Sequence, residues 1–202
     1  MFLDAPAKQP VVFLDRDGTL NQEIGYIQDT ADLKLIPGAA AAVRQLNAAS
    51  IAVILVTNQT GAARGYYPEQ HIRALNTRLE ELLQSGDAYL DAVYYCPHLK
   101  EGSVPEWSID CFCRKPAPGM IDRAFAEHPQ LDRLRAYVVG DKATDVELAR
   151  NCKLKAVLVT TGYGHQVLKG TYQWQVEPDF IAQEIRYAID WILDDLKSNL
   201  PA

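Results

Sequence analysis

The sequence predicts an α/β protein in which helices cover both faces of a parallel sheet. Short apolar runs recur along the chain, and segments whose apolar residues have helical spacing separate them. Strands that alternate with helices pair in parallel, because each crossover helix brings the chain back to start the next strand in the same direction. Polar residues directly follow several of the runs, as expected where such sheets bind ligands. We therefore expect a three-layer α/β/α sandwich around a Rossmann-like sheet.

The composition limits the class of protein. The chain has 202 residues, of which 48% are hydrophobic and 23% charged, so we expect one globular domain over residues 1–202. The net charge of -6, with no run of Lys or Arg, argues against nucleic-acid binding but allows a small phosphorylated substrate. No stretch is long enough to span a membrane, and residues 1–6 lack the features of a signal peptide. We expect a cytoplasmic monomer.

The first apolar run, residues 11–14, predicts a strand buried on both faces. Asp15 and Asp17 follow it, and the turn that Gly18 and Thr19 allow lets both carboxylates serve one site. Two acids this close repel each other unless a cation or a shared proton compensates, and Mg²⁺ is the hard cation that carboxylates prefer. The alternative is an ordinary solvated corner at the end of a strand.

The next segments predict the first half of the sandwich. Residues 21–26 are polar and contain glycine, and the segment is too long for a minimal turn, which suggests a flap of short strands over the site at residues 20–36. We then expect a helix over 37–49, a strand over 51–56 that ends at the polar residues Thr57 to Thr60, and a helix over 68–84.

A third strand is expected over residues 92–95, followed by a long loop over 96–119 that contains four prolines. Helices are predicted over 120–126 and 144–151, and strands over 137–139 and 155–159. Residues 162–177 carry no interpretable motif. A final apolar stripe predicts a helix packed on the core, formed by Ile181, Ile185, Ile189, Ile192 and Leu196.

The long loop carries a candidate zinc site. Cys96, His98, Cys111 and Cys113 supply three thiols and one imidazole, which suit tetrahedral zinc with all four positions filled by protein. Buried unpaired thiols are the alternative, but that interpretation leaves a long proline-rich loop without anything to hold it. Cys152 lies outside this pattern and is expected to be a small buried hydrophobe.

Four segments resemble, in order, the four motifs of the haloacid dehalogenase superfamily of phosphatases: FLDRDGTL, VTNQTG, the Lys115 of CRKPAPG, and VVGDKATD. The resemblance covers most of the chain and implies the fold of that superfamily. It implies that Asp15 attacks phosphorus to form an aspartyl-phosphate, and that Asp17 protonates the leaving oxygen and then activates water. Loss of Asp15, Asp17 or Lys115 would mark a non-catalytic binding protein of the same fold, and all three are present.

The same resemblance assigns the remaining groups around the phosphate. It implies that Mg²⁺ is held by Asp15, by the backbone carbonyl of Asp17 and by Asp141, and that Thr57 and Lys115 contact phosphoryl oxygens. Asp145 either supports the metal or a lysine, or caps its own helix.

Within the superfamily, CPH together with CFCRKPAPGM resembles the zinc-containing branch of heptose bisphosphate and histidinol-phosphate phosphatases. GTLNQEIGY and TNQTGAARGYY are similar to the heptose group, which implies removal of the C7 phosphate from D-glycero-D-manno-heptose 1,7-bisphosphate, for lipopolysaccharide or another glycan. Histidinol-phosphate hydrolysis is the alternative activity. The candidate substrate-binding residues are Glu23, Gly25, Tyr26, Asn58, Gln59, Thr60, Arg64, Arg114 and Lys142.

The chain offers no insertion long enough for a separate cap domain. A phosphotransferase would be expected to carry such a cap to exclude water, so the length favours a hydrolase. We expect the flap over 20–36 and the zinc loop over 96–119 to close a small pocket instead.

Overall fold

The computed structural model describes residues 8–198. Residues 1–6, on which the expectation about a signal peptide depends, lie outside the described range. In chain order the described part contains β1 Gln9–Leu14, α1 Ala39–Ala48, β2 Ala52–Asn58, α2 Glu69–Gln84, β3 Ala92–Cys96, α3 Gly119–Glu127, β4 Leu131–Gly140, α4 Ala143–Cys152, β5 Lys155–Val159, α5 Gly164–Leu168, β6 Phe180–Ala182 and α6 Ile185–Ser198. Two short 3₁₀ turns cover Thr30–Asp32 and Pro105–Trp107.

The strands form one six-stranded parallel sheet in the order β3-β2-β1-β4-β5-β6. In its centre, Val11 of β1 lies opposite Ala52 of β2 and Ala136 of β4. The carboxyl ends of β2, β1 and β4 are therefore neighbours. Because ligands bind beyond this edge in parallel sheets, the segments that follow these three strands are brought to one place.

Two apolar cores lie on opposite faces of the sheet. Val12 and Leu14 pack in a core with α1, α2 and α6, whereas Val11 and Phe13 pack in a core with α3, α4 and α5. All four side chains are fully buried, and burying each one contributes about 1.5 to 3 kcal/mol. The predicted three-layer sandwich is confirmed.

Three details differ from the expectation. The flap forms no strand, and its pairing is limited to isolated bridges from Asn21 to Asp17 and to Leu35. The reason is that apolar flap residues such as Leu20 and Leu33 are buried in the core. The strand β6 was not expected, and Ile181 belongs to it and is 48% exposed rather than part of the last helix. The strand β4 begins at Leu131, six residues earlier than predicted, because its first half mixes polar and apolar residues and lacks a continuous apolar run.

No helix within residues 8–198 is long and apolar enough to cross a membrane.

Candidate active site

Asp15 and Asp17 lie at the carboxyl end of β1. The Asp15 N–H donates to the carbonyl of Val139 at 2.9 Å, which continues the sheet pairing, and the chain then turns through Gly18 at a φ of +81°. This φ favours glycine, and a Cβ atom here would also collide with the carboxylate of Asp141. The glycine thus lets the ends of β1 and β4 approach closely enough for their carboxylates to share a site.

Lys115 reaches this site from the zinc loop. Its Nζ atom lies 2.8 Å from Asp15 Oδ1 and 2.6 Å from Asp145 Oδ1, and it donates to the Val56 carbonyl at 2.9 Å. The lysine is only 3% exposed. Burial by itself lowers the pKa of Lys115, but the carboxylates of Asp145 and Asp15 outweigh this and raise it, so the side chain is a cation.

The carboxylate of Asp15 is the matching anion. Burial by itself raises the pKa of Asp15, but the ammonium groups of Lys115 and Lys142 outweigh this and hold it below its ordinary value. An ionised carboxylate at the end of a strand, aimed into a polar pocket, can act as a nucleophile.

Oxygen atoms converge on the Lys142 ammonium. Its Nζ atom lies 3.2 Å from Asp141 Oδ1, 3.4 Å from the Asp17 carbonyl oxygen and 3.8 Å from Asp15 Oδ2, with Glu23 Oε2 at 3.0 Å. The first three oxygens are those that the sequence predicts as magnesium ligands. Two carboxylates and a carbonyl around one cation are a donor set of the kind that Mg²⁺ takes, so the residues fit this metal. Burial raises the pKa of Asp141 to about 7, because the Lys142 ammonium offsets only part of the cost of burying this charge.

Asp145 has both of the roles that the sequence left open. One oxygen pairs with Lys115, and the other accepts the backbone N–H of Lys142 at 3.0 Å at the start of α4. The side chain of Asp145 lies within 4.8 Å of ligand atoms of Asp15 and Asp141. Because both of its oxygens already have protein partners, we assign it to the support of Lys115 rather than to the metal.

The carboxylate of Asp17 is held by three side chains. It accepts hydrogen bonds from Arg16 at 3.0 and 3.2 Å, from Asn21 at 2.9 Å and from Gln59 at 2.7 Å. Burial by itself raises the pKa of Asp17, but the guanidinium of Arg16 and the other donors outweigh it and lower the pKa.

The predicted zinc residues come together in the loop between β3 and α3. Ligand atoms of Cys96, His98, Cys111 and Cys113 all lie within 4.8 Å of one another. The His98 Nδ1 atom is 3.6 Å from the Cys96 sulfur and 3.5 Å from the Cys113 sulfur. Burial lowers the pKa of His98, which favours the neutral imidazole that a metal requires. Three sulfurs and one nitrogen at these separations fit a closed tetrahedral zinc site.

The predicted catalytic and substrate-binding residues line one pocket of about 280 Å³. Asp141 lies beneath it and is completely buried. The lining includes Asp15, Asp17, Glu23, Gly25, Tyr26, Thr57, Asn58, Gln59, Thr60, Arg64, Arg114, Lys115 and Lys142. The structure therefore brings together residues that are up to 127 positions apart in the sequence, from Asp15 to Lys142.

Five further lining residues were not anticipated: Tyr67, Thr144, Tyr163, Tyr172 and Gln173. The rings of Tyr163 and Tyr172 stack with centroids 4.0 Å apart and an interplanar angle of 9°. The backbone N–H of Tyr163 also donates to Asp141 at 2.8 Å. Tyr163 follows the carboxyl end of β5, so the rule that pointed to Asp15 and Asp141 would have found it. No sequence signal marks Tyr172 or Gln173.

Family comparisons identify the class of protein that this fold and site define. Residues 12–95 match the model of a family described as haloacid dehalogenase-like hydrolase, and residues 112–188 match a second model described as HAD-hydrolase-like. Between them, these models cover the segments that carry Asp15, Lys115 and Asp141. The protein is thus a haloacid dehalogenase-like hydrolase.

Two individual relatives identify a narrower family within this class of hydrolases. The chain is 50% identical over 192 residues to a D-glycero-D-manno-heptose-1,7-bisphosphate 7-phosphatase of Thermosynechococcus vestitus, with 93% of this chain and 97% of the relative covered. It is 38% identical over 194 residues to the D-glycero-beta-D-manno-heptose-1,7-bisphosphate 7-phosphatase of Escherichia coli K12, with 95% and 92% covered. The chain belongs to the family of these heptose bisphosphate phosphatases.

A solved structure agrees with this assignment. The crystal structure of D,D-heptose 1,7-bisphosphate phosphatase from B. bronchiseptica, complexed with magnesium and phosphate, superposes with a TM-score of 0.79 at 28% identity. The match covers 93% of this chain and 99% of that one.

Proposed function

We propose that this protein is a Mg²⁺-dependent phosphatase that removes the C7 phosphate of D-glycero-D-manno-heptose 1,7-bisphosphate through an aspartyl-phosphate. The observation that carries the proposal is the meeting of Asp15, Asp17, Lys115 and Asp141 at one edge of the sheet, in a chain 50% identical to a phosphatase named for this substrate. The protein is a phosphoric monoester hydrolase.

In the first half of the proposed reaction, a carboxylate oxygen of Asp15 bonds to the C7 phosphorus while the bond from phosphorus to the C7 oxygen breaks. Asp17 gives its proton to that oxygen, so the sugar leaves as an alcohol. Arg16 favours the ionised form of Asp17 in the free protein. The negative charge of the bound phosphate opposes this and favours the protonated form that the step requires.

In the second half, a water oxygen bonds to phosphorus and the bond from phosphorus to Asp15 breaks, which releases inorganic phosphate. Asp17, now a carboxylate, accepts the proton of that water. Lys115 and Thr57 contact the phosphoryl oxygens in both halves, and the Asp145 carboxylate keeps Lys115 charged and in place.

Asp15, Asp141 and the Asp17 carbonyl would hold Mg²⁺. When bound, this metal neutralises charge on the phosphoryl oxygens. The magnesium and phosphate in the B. bronchiseptica structure support this part of the proposal.

Zinc has a structural role in the proposal. Bound by Cys96, His98, Cys111 and Cys113, it would order the loop from which Arg114 and Lys115 enter the pocket. Cysteines that bind a metal and form no disulfide suit a reducing compartment, and we place the protein in the cytoplasm.

Contacts to the rest of the substrate come from both sides of the pocket. Arg64 and Arg114 are the cations proposed for the distal phosphate, and Glu23 and Tyr26 face the sugar hydroxyls. Gly25, Asn58, Thr60 and Lys142 complete the proposed contacts. We also propose that residues 1–202 form a single domain, in which the flap and the zinc loop take the place of a cap.

The deciding experiment compares kcat/KM for heptose 1,7-bisphosphate, as each anomer, with kcat/KM for L-histidinol phosphate, in Mg²⁺. We expect a clear preference for the bisphosphate. A preference for histidinol phosphate would overturn the proposed substrate and leave the catalytic residues unaffected. Absence of phosphate release from either substrate would overturn the proposed activity itself.

A further inference from the structure

Arg16 is a buried cation beside the proposed acid. It lies between Asp15 and Asp17 in the sequence and is only 1% exposed, although arginine is rarely buried unless it is paired. Its guanidinium donates from Nε and Nη2 to the two oxygens of Asp17, at 3.2 and 3.0 Å. This bidentate contact constrains the plane of the carboxylate as well as its position.

Two amide side chains hold the guanidinium in turn. Arg16 donates to Gln59 Oε1 at 2.7 Å and to Asn76 Oδ1 at 3.1 Å. Gln59 and Asn76 are 4% and 5% exposed. Asn76 lies in α2 and outside the pocket lining, so it anchors Arg16 from the side away from the substrate.

Gln59 also contacts the catalytic groups. Its Nε2 atom donates to Asp17 Oδ2 at 2.7 Å and to Thr57 Oγ1 at 3.0 Å. Both ends of its side-chain amide are therefore engaged within the protein. The sequence predicts a substrate contact for Gln59, which lines the pocket, and these bonds connect the same side chain to Asp17.

We propose that Arg16, Gln59 and Asn76 form a positioning clamp that fixes the side chain of Asp17 for proton transfer to the leaving oxygen. When one oxygen of Asp17 takes up the proton, one of the donors on that oxygen gives up its hydrogen bond, and the remaining bonds keep the carboxyl group in place. An aspartate has rotatable side-chain bonds, and a proton donor must lie within hydrogen-bond reach of its target. Three hydrogen bonds to Asp17, two from Arg16 and one from Gln59, limit this freedom before substrate arrives. The inference rests on the proposed function, because it needs Asp17 to be the acid.

The dependence of the rate on the leaving group distinguishes a misplaced acid from a general loss of activity. A sugar alkoxide needs a proton in order to leave, whereas the p-nitrophenolate released from p-nitrophenyl phosphate does not. The experiment measures leaving-group release in a single turnover, with enzyme in excess and Mg²⁺ present, for heptose 1,7-bisphosphate and for p-nitrophenyl phosphate. Release in the first turnover reports only the first half of the reaction.

The variants are Gln59→Leu, which removes the three hydrogen bonds of the amide at similar volume, and Asn76→Ala, which removes one hydrogen bond of Arg16 without touching the pocket. We expect Gln59→Leu to slow release from the bisphosphate about 100-fold and release from p-nitrophenyl phosphate less than about ten-fold. Asn76→Ala should show the same pattern with a smaller loss. Tyr94→Phe, which removes a partly buried hydrogen bond to Glu127 elsewhere, is the matched control and should leave the ratio of the two rates unchanged.

Asp17→Asn is measured alongside as the reference. Equal losses on both substrates in Gln59→Leu and Asn76→Ala, with an Asp17→Asn variant that does discriminate, would overturn the clamp and leave the proposed function intact. If Gln59→Leu does not fold, Asn76→Ala alone decides in the same way. An Asp17→Asn variant that loses nothing on the bisphosphate would overturn the acid role of Asp17 and the clamp with it.

Discussion

At the scale of single residues, the site depends on buried charges that compensate one another. Lys115 lies between Asp15 and Asp145, and all three residues are less than 5% exposed. Removing one member of such a group leaves an uncompensated buried charge, at a cost of about 3 to 5 kcal/mol. Variants that keep the size and hydrogen bonds of the side chain are therefore the informative ones.

Asp15→Asn is such a variant, because the amide keeps the shape but cannot act as a nucleophile. We expect phosphate release to fall by more than about 1,000-fold, while substrate binding stays measurable. Rapid-quench mass analysis should detect a phosphorylated chain in the wild type and none in the variant. The matched control is Asp194→Asn, whose side chain is 77% exposed in α6. Normal turnover by Asp15→Asn would exclude the covalent mechanism.

At the scale of elements, the loop from β3 to α3 has little regular secondary structure. Between Cys96 and Gly119 it contains one 3₁₀ turn, Pro105–Trp107, so its order must come from other interactions. The four proposed zinc ligands lie near both ends of this loop. Metal binding at such a site contributes directly to local folding.

Cys111→Ser tests this role of the loop. We expect the variant to lose zinc, to become sensitive to proteolysis within the loop and to lose activity, because Lys115 is no longer held. The two apolar cores should remain folded. Zinc content, limited proteolysis and turnover are measured together, with Cys152→Ser as the control that keeps the metal. A zinc-free protein with normal turnover would contradict the proposed link between zinc and catalysis.

A second prediction at this scale concerns how β3 packs on α3. Burial, together with the hydrogen bond that Tyr94 donates to Glu127, raises the pKa of Tyr94 from 10.0 to about 12. The folded state therefore holds this proton more tightly than the unfolded state. The resulting stability is fully present below pH 10 and is lost as the pH rises towards 12.

Tyr94→Phe lacks this group, so we expect its free energy of unfolding to approach that of the wild type between pH 10 and pH 12. Urea unfolding at a series of pH values measures the difference between the two proteins. The exposed Tyr89 provides the matched Tyr→Phe control. A difference that stays constant over this range would show that Tyr94 gains nothing from burial beside Glu127.

At the scale of the whole molecule, the surface favours an isolated chain. Helices cover both faces of the sheet, and the edge strands β3 and β6 have only five and three residues, which limits pairing with another sheet. The large apolar side chains that are exposed lie on different elements, such as Leu134 on β4 and Phe112 in the zinc loop. The net charge of -6 adds repulsion between copies.

We therefore predict a monomer. Light scattering coupled to size exclusion should give the mass of one chain, 22.5 kDa, independent of protein concentration. A mass of twice this value would show that one of the exposed apolar groups belongs to an interface.

The features that have a local signal could be predicted from the sequence. The four apolar residues of β1 predict a strand buried on both faces, and the polar residues after β1, β2 and β4 predict the site edge. The strand β6 could not be predicted, because its three residues become a strand only by pairing with β5. The contacts of Arg16 were missed for a similar reason, since its partners Gln59 and Asn76 are 43 and 60 positions away.

The position of β1 between β2 and β4 has a consequence for biosynthesis. β2 ends at Asn58, so a growing chain can pair it with β1 early, whereas β4 is complete only at Gly140. Until then, one edge of β1, whose residues 11–14 are all apolar, is open to other chains, a state that favours aggregation. Asp15 also lacks Asp141 throughout this period. We therefore expect truncated products that end before Gly140 to be inactive and to expose an unpaired strand edge. The ribosome-bound chain exposes the same edge, so it is the form that we expect to need a chaperone.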